Sequence, residues 1–217
     1  MDISMFDIVE NGVSNVEISN SIIEKLNSKY NEEFCVKMLG NRYGTSTDDT
    51  VTAFCFPKNN EKLLFTATLN KEETILEDDY YLKKIAFDVQ EDIKEKFKKY
   101  GYDSVVKNEI IGLNQLKENL GVLEFINNYK NVNFLAHIVC SKEISDEILK
   151  QIYAEIEKIY KSIHLRTLIY FIDENYFQEF NELSNKIPSV TDAIIKKYNV
   201  KDEKIIKIFE EKIIIIK

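Results

Sequence analysis

Apolar residues recur every three or four positions in several segments of the chain, which is the spacing of one face of a helix. In the segment 14–30, Ile18, Ile22 and Leu26 follow this spacing between polar residues. The pattern therefore predicts an amphipathic helix there. The same spacing predicts further helices over 77–101, ending at Gly101, and over 114–129, 141–163, 174–186 and a short stretch after Thr191.

Other segments alternate apolar and polar residues, the period of a strand with one buried face. They predict strands over 33–39 and 132–140. Runs rich in apolar and β-branched residues predict further strands over 50–56, 62–69 and 104–112. The strands 50–56 and 62–69 are joined by a short polar link and predict a hairpin. The segment 164–172 is apolar on both faces and predicts an interior strand. The tail 212–217, KIIIIK, would promote aggregation if exposed, so we expect a strand buried within the sheet.

Together these elements predict an α+β fold with a mixed sheet, in which antiparallel N-terminal strands precede strand–helix–strand units. The order strand, long helix, strand, shorter helix occurs at 62–129 and again at 132–186, which is compatible with two similar subdomains. We place their boundary near Gly112, giving an α+β subdomain over 1–112 and an α/β-like subdomain over 113–217. A single domain is the alternative, because no Gly-, Ser- or Pro-rich linker separates the halves.

The composition fits a soluble globular protein: 44% of the 217 residues are hydrophobic and 30% are charged. The net charge of −8 argues against a protein that binds nucleic acid and favours a partner with a basic surface. No apolar stretch reaches the length of a membrane span. Three cysteines without CxxC spacing, and an N-terminus that lacks an export signal, favour the cytoplasm. A chain whose signal peptide had been removed would look the same, and would then belong at the cell surface.

The segment 40–54, GNRYGTSTDDTVTAF, is the stretch most like a binding loop. A phosphate-binding loop needs GxxxxGK[ST] before a helix, whereas here the spacing is one residue short, the Lys is absent and a strand follows. Glycines and hydroxyl side chains at these positions are also typical of a turn. We therefore expect a structural turn, with a loop that presents Arg42 and Tyr43 to a partner as the alternative.

A second candidate site lies in the strand 164–172. His164 and Arg166 are two residues apart and so share one face, with Tyr170 further along that face. An imidazole beside a guanidinium could hold an anionic ligand, or could pair with acidic side chains of a neighbouring helix. His137 and Cys140 are three apart in a strand, point to opposite faces and cannot share a metal.

The acidic clusters Asp48–Asp49 and Glu77–Asp79 fall at a turn and at the start of a predicted helix. Both places favour Asp for local hydrogen bonding, so neither cluster indicates acid–base chemistry. No serine or cysteine stands in the setting of a nucleophile. The sequence therefore predicts no catalytic residues, no cofactor and no metal site.

The segments KYNEEFCVK, GNRYGT, TVTAFCFPKNN, LLFTATL and DDYY follow one another over residues 30–81. In this order they resemble a small domain of Gram-positive surface lipoproteins and secretion-cluster proteins without assigned activity. The resemblance covers about a quarter of the chain. It implies a fold and no catalytic residue. The chain departs from that group in lacking a lipoprotein signal and in having a long second half.

These observations favour a non-enzymatic bacterial protein that binds another, basic protein. An acidic immunity-type neutraliser, or an accessory of a secreted toxin cluster, would fit. One alternative is an enzyme or small-ligand-binding protein that uses His164 and Arg166. The other is a surface lipoprotein domain whose signal has been removed.

Overall fold

The computed structural model of the chain describes residues 15–40, 49–130, 132–161, 163–187, 190–198, 200–209 and 212–216. The contacts between Cα atoms divide the chain into two compact units, Met1–Tyr80 and Tyr81–Lys217. The helices are α1 (Asn15–Tyr30), α2 (Tyr80–Lys99), α3 (Val122–Asn128), α4 (Asp146–Ile159), α5 (Glu174–Ser184) and α6 (Asp192–Ile195), the last continuing into a 3-10 turn, Lys196–Tyr198. Within the described part, no helix combines the length and the apolar character that crossing a bilayer requires.

In its described residues, the first unit has the helix α1 and an antiparallel sheet of four strands in chain order: β1 (Phe34–Leu39), β2 (Thr50–Pro57), β3 (Phe65–Asn70) and β4 (Leu76–Asp78). Alternate residues of β2 and β3 are buried, as the period of a strand with one covered face requires. The buried stripe of α1, Ile18, Ile22 and Leu26, supplies the helical side of this core.

The second unit contains a five-stranded sheet, also in chain order: β5 (Ser104–Ile111), β6 (Asn133–Cys140), β7 (Leu165–Phe171), β8 (Asp202–Phe209) and β9 (Lys212–Ile216). Only β6 and β7 pair in parallel, and α4 connects them as a crossover helix. The other neighbours, β5–β6, β7–β8 and β8–β9, are antiparallel.

Each face of this sheet has its own apolar cluster. On the face that we call the helix-covered face, α2, α3 and α4 pack against Val106, Phe134, Ile138 and Ile169. On the opposite face, α5 and the short helix α6 pack against Val105, Val139 and Tyr170. The second cluster lies at one end of the strands, so it covers only part of the opposite face.

The α+β fold with antiparallel N-terminal strands and a mixed sheet agrees with the sequence prediction. The hairpin is confirmed as the antiparallel pair β2–β3. The interior position of 164–172 is confirmed, because β7 lies between β6 and β8. The end of the long helix at Gly101 is also confirmed: its φ is +84°, and the backbone N–H groups of Gly101 and Tyr102 donate to carbonyls of the last helical turn.

The helix predicted over 114–129 is wrong in its first half. Only Val122–Asn128 is helical, and Gly121 is its N-cap. Glycine has the weakest helix propensity after proline, so a helix that included Gly121 would be interrupted there. The residues before it form an irregular segment that still buries Leu116. The long helix α2 begins at Tyr80 instead of residue 77, because Leu76–Asp78 forms the short strand β4.

The tail is a strand as predicted, but its position within the sheet was predicted wrongly. Strand β9 lies at the edge of the sheet and pairs with β8, for which no element was predicted. Because β8 lies beside β7, the tail strand β9 takes the outer position.

The predicted strand–helix–strand unit within residues 62–129 is wrong, because its two strands, β3 and β5, belong to different sheets. The two-unit division falls before the predicted boundary near Gly112, and β5 and β6 on either side of that boundary pair in one sheet.

Candidate functional site

Two of the predicted binding residues, Arg42 and Tyr43, lie outside the described residues. The described ends of this segment show how it is attached to the sheet. The N–H of Gly40 donates to the carbonyl of Thr52 at 2.6 Å, and the carbonyl of Asp49 accepts from the N–H of Lys71 at 2.8 Å. Whether the loop forms a turn or a binding surface stays a prediction.

The three residues predicted in the segment 164–172 have different surroundings. Arg166 is exposed and His164, immediately before the strand, is half-buried. Tyr170 is fully buried among Val105, Val139 and the side chains of α5 and α6. Its ring stacks on that of His137, with the centroids 6.2 Å apart and the planes 15° apart. Solvent therefore reaches the first two residues of the predicted group and not the third.

His137 and Cys140 point to opposite faces of the sheet, as predicted. His137 stacks on Tyr170 on the opposite face, whereas Cys140 lies in the cluster of the helix-covered face. Burial raises the pKa of the Cys140 thiol, which keeps it protonated. Among the described residues, no group of three or more His, Cys, Asp or Glu could hold a metal ion.

The acidic cluster Glu77–Asp79 has a structural role in the first unit. The carboxylate of Asp78 is buried and accepts hydrogen bonds from Lys29 Nζ at 2.7 Å and from the Tyr30 hydroxyl at 2.5 Å. Asp79 accepts from the backbone N–H of Thr66 at 2.6 Å. These carboxylates connect the end of β4 to α1 and to β3. Their role is structural, but these hydrogen bonds are long-range, whereas the sequence predicted local ones at a helix start.

A groove in the second unit was not predicted. It lies where α2, the start of α3 and the end of α4 meet, and it has a volume of about 680 Å³. We call it the acidic groove, because four of the residues that line it are carboxylates. It is lined by Asp88, Glu91, Asp92, Gly121, Val122, Leu123, Glu124, Ile159 and Tyr160.

Local structure explains how the carboxylates come together. Asp88, Glu91 and Asp92 are spaced three and four residues apart on α2, so they share one side of that helix, next to its buried stripe. Glu124 lies in the first turn of α3, where a negative charge is favoured by the helix dipole. Tyr160 follows the last residue of α4, and its hydroxyl donates to the carboxylate of Asp92.

Desolvation acts on two groups of the groove, the Asp88 carboxyl and the Tyr160 hydroxyl. Desolvation raises the pKa of the Asp88 carboxyl, the negative charge of Asp92 adds to the effect, and Lys84 opposes it. Burial, together with the hydrogen bond to Asp92, raises the pKa of the Tyr160 hydroxyl. Tyr160 is therefore a proton donor to Asp92 at all ordinary pH values and fixes the orientation of that carboxylate.

Apolar side chains flank the acidic groove and are open to solvent. Leu123 is 55% exposed and Ile159 is 39% exposed. Carboxylates beside exposed apolar surface can receive a long cationic side chain, whose aliphatic stem covers the apolar part while its charged end meets the carboxylates. The sequence signal for this site was the spacing of Asp88 and Asp92 on the predicted helix. Sequence reasoning missed the site because Glu124 and Ile159 join these residues only through the tertiary fold.

No protein-family model matches the chain, and no curated protein matches it. Among solved structures, the chain is similar to the crystal structure of a DUF5037 family protein from Ruminococcus gnavus ATCC 29149. The TM-score is 0.70 at 18% sequence identity, and the match covers 91% of this chain and 94% of that chain. At that identity the likeness concerns the fold alone: nearly the whole length of this chain shares its α+β architecture with a protein of very different sequence.

Proposed function

We propose that the chain is a non-enzymatic protein-binding module whose partner presents a basic surface to the acidic groove. The observation that supports this proposal is the convergence of Asp88, Glu91, Asp92 and Glu124 beside the exposed side chains of Leu123 and Ile159. A Lys or Arg side chain of the partner would lie along the apolar rim and bring its charge among the carboxylates.

The net charge of the whole chain also favours a basic partner. A net charge of −8 attracts a basic partner over a distance and speeds the encounter. Association driven in this way weakens as salt is added, because ions screen exposed charges. The proposal therefore predicts binding that loses strength as ionic strength rises.

Two more specific roles are further proposals. An immunity-type neutraliser of a basic toxin would use such a groove to cover a cationic surface of the toxin, and an accessory of a secreted toxin cluster would bind a basic component of that cluster. The resemblance of residues 30–81 to secretion-cluster proteins favours this group. A toxin-like gene directly upstream of the coding sequence would support the immunity role, and its absence would count against that role.

The partner can be sought by affinity capture from the native host with three forms of the protein. The groove variant carries Asp88→Asn, Glu91→Gln and Glu124→Gln, which leaves the hydrogen bond between Tyr160 and Asp92 in place. The matched control carries Glu147→Gln, Glu174→Gln and Glu182→Gln, which removes the same charge from exposed positions on α4 and α5.

We expect the wild type and the control to recover one basic protein in stoichiometric amount, and the groove variant to bind that protein about tenfold more weakly or worse. Recovery of no stoichiometric partner, or equal recovery by all three forms, would refute the proposal. The pH dependence gives a second measurement. Because the pKa of Asp88 is raised, affinity should begin to fall at a pH above the usual range of an aspartate, and the decline should shift to lower pH in an Asp88→Asn variant.

A second candidate function is the binding of a small anionic ligand by His164 and Arg166. It is supported by the half-buried position of His164 and the exposed position of Arg166, on one side of the strand β7. Titration with citrate or inorganic phosphate, followed by NMR, tests it: shifts confined to these residues would support a ligand site, and no shift would exclude both anions. The role of a surface lipoprotein domain also stays a prediction, and the upstream coding sequence decides it.

A further inference from the structure

Among the residues that the structure describes, those that bury the opposite face of the five-stranded sheet lie at one end of its strands. There, Val105, Val139 and Tyr170 form a cross-strand row that is buried under α5 and the short helix α6. The next rows along the strands are not buried in this way. Leu135 and Leu168 are half-buried, Lys207 is half-buried and Arg166 is exposed. We call these four residues and their surroundings the open face.

The strand register places these side chains next to one another. Leu135 pairs with Arg166, and Arg166 pairs with Lys207. Leu168 lies two residues after Arg166 and so on the same side of β7, packed against the edge of the cluster under α5. The open face is thus a small apolar surface with Arg166 and Lys207 beside it, and the row of Leu168 continues on the same side into His137 and Lys107.

Arg166 and Lys207 are directly opposite each other on neighbouring strands, a placement in which like charges repel. Neither side chain forms an ion pair or a hydrogen bond with the residues that the structure describes. Glu109, the acid in the same cross-strand row, is separated from Arg166 by Leu135. Two adjacent cations that form no ion pair with the described residues, in a chain of net charge −8, are an unfavourable arrangement that a negatively charged partner would relieve.

We propose that the open face binds an acidic segment of a partner protein that also carries apolar side chains. Carboxylates of the segment would meet Arg166 and Lys207, and its apolar residues would cover Leu135 and Leu168. The guanidinium of Arg166 suits a carboxylate, because its planar donors can form two parallel hydrogen bonds to the two oxygens. This surface is independent of the acidic groove and has the opposite charge preference.

The alternative of a nucleic acid fits the same surface less well. Binding to a phosphate backbone derives most of its strength from several cations that replace condensed counterions. The open face offers Arg166 and Lys207, which form no ion pair with any residue in the described ranges, and the chain as a whole would repel a long polyanion. A short acidic segment carries less charge, and it gains from the apolar contact that a phosphate backbone cannot make.

The experiment begins with selection of a random peptide library displayed on phage, using the wild-type protein as bait and an Arg166→Gln, Lys207→Gln double variant for counter-selection. We expect the selected peptides to be enriched in Asp and Glu together with apolar residues. One enriched peptide is then synthesised, and its affinity is measured by fluorescence anisotropy. The double variant should bind it about tenfold more weakly or worse.

Two controls make the result specific. A Lys150→Gln, Lys186→Gln variant removes two exposed positive charges from other surfaces and should bind the peptide as the wild type does. The groove variant should also bind it unchanged, which separates this proposal from the function proposed above. Melting temperatures check that all variants are folded. Selection without acidic enrichment, an equal loss in the lysine control, or stronger binding of an oligothymidine probe than of the peptide would overturn the proposal.

Discussion

Lys204 and Asp78 are charged residues that the fold buries, and several partners hold each of them. The ammonium of Lys204 donates to the carbonyl oxygen of Ile144 at 2.8 Å and to Asp146 at 3.1 Å, and it lies 5.6 Å from the ring centroid of Phe171. It thereby connects the strand β8 to the segment that leads into α4. Burying a charged side chain without partners costs free energy. The contacts of Lys204 therefore offset the cost of its burial.

Replacing Lys204 tests the value of these contacts. The substitution Lys204→Met keeps most of the aliphatic stem and leaves the carbonyl of Ile144 without its donor. We expect the free energy of unfolding, measured with urea, to fall by about 1–3 kcal/mol. Lys150→Met, at an exposed position of the same unit, should leave it nearly unchanged. Equal effects of the two substitutions would show that the contacts of Lys204 contribute nothing.

The three thiols offer a second test at the scale of single residues. Burial raises the pKa of Cys55 to about 12, with the charges of Asp78 and Asp79 adding to the effect, and burial also raises the pKa of Cys140. Cys35 is half-buried. Because the thiolate is the reactive form, iodoacetamide at about pH 8 should modify Cys35 alone in the folded protein, and all three cysteines after denaturation.

Mass spectrometry of the modified peptides measures this directly, and a Cys35→Ser variant should stay unmodified while folded. Rapid modification of Cys55 or Cys140 in the native protein would contradict the buried positions of their side chains.

For the candidate site, the sequence could place residues on a face but could not show what covers that face. His164, Arg166 and Tyr170 share one side of the strand by simple alternation. That Tyr170 is buried depends on where α5 and the short helix α6 pack, which no local pattern contains. The acidic groove depends in the same way on three elements that are distant in the sequence.

At the scale of elements, two glycines at helix ends have backbone φ angles of opposite sign. Gly101, after α2, has a φ of +84°, which an L side chain adopts only with strain, whereas Gly121, the N-cap of α3, has a φ of −74°. At both positions an added Cβ would meet nothing within 4 Å. The backbone dihedral angle is therefore the main difference between them.

The same substitution should therefore have opposite effects at the two glycines. Gly101→Ser should lower the free energy of unfolding by about 1 kcal/mol or more, because of the left-handed backbone. Gly121→Ser should raise it by about 0.5–1 kcal/mol, because serine restricts the unfolded chain and can cap the helix. Thermal unfolding of the two variants beside the wild type measures both changes. A loss of stability at Gly121 would contradict the extended backbone of this N-cap.

The elements in which apolar residues recur at regular spacing were predictable from the sequence, and the elements without such spacing were not. The regular apolar spacing of α2 and α4 and the alternation in β1 and β6 gave elements close to the observed ones. The segment of β8, DEKIIKIF, pairs two adjacent isoleucines with flanking charges, a pattern that fits neither period clearly. The short strand β4 has three residues, too few to show any period.

At the scale of the whole molecule, the division after Tyr80 separates two sheets, each with its own core. A fragment of residues 81–217 contains all five strands of the second sheet and the helices that cover it. A fragment of residues 113–217, which follows the boundary predicted from the sequence, lacks α2 and β5. Without them, the apolar face that contains Phe134 and Ile138 would lose the buried stripe of α2 that packs on it.

We therefore expect the fragment 81–217 to unfold cooperatively and to give a dispersed amide NMR spectrum. The fragment 113–217 should aggregate or stay unfolded. A well-folded fragment 113–217 would favour the boundary near Gly112, and failure of both fragments would show that neither part is stable without the residues before it.

In both sheets the strands lie side by side in the order in which the chain presents them. During synthesis, each strand after the first of its sheet would leave the ribosome when a neighbour in that sheet is already made. Contacts between neighbours in the chain also shorten the conformational search and are typical of fast folding. The growing polypeptide could thus add one strand after another, and a pause in translation would leave a smaller sheet with one edge ready for the next strand.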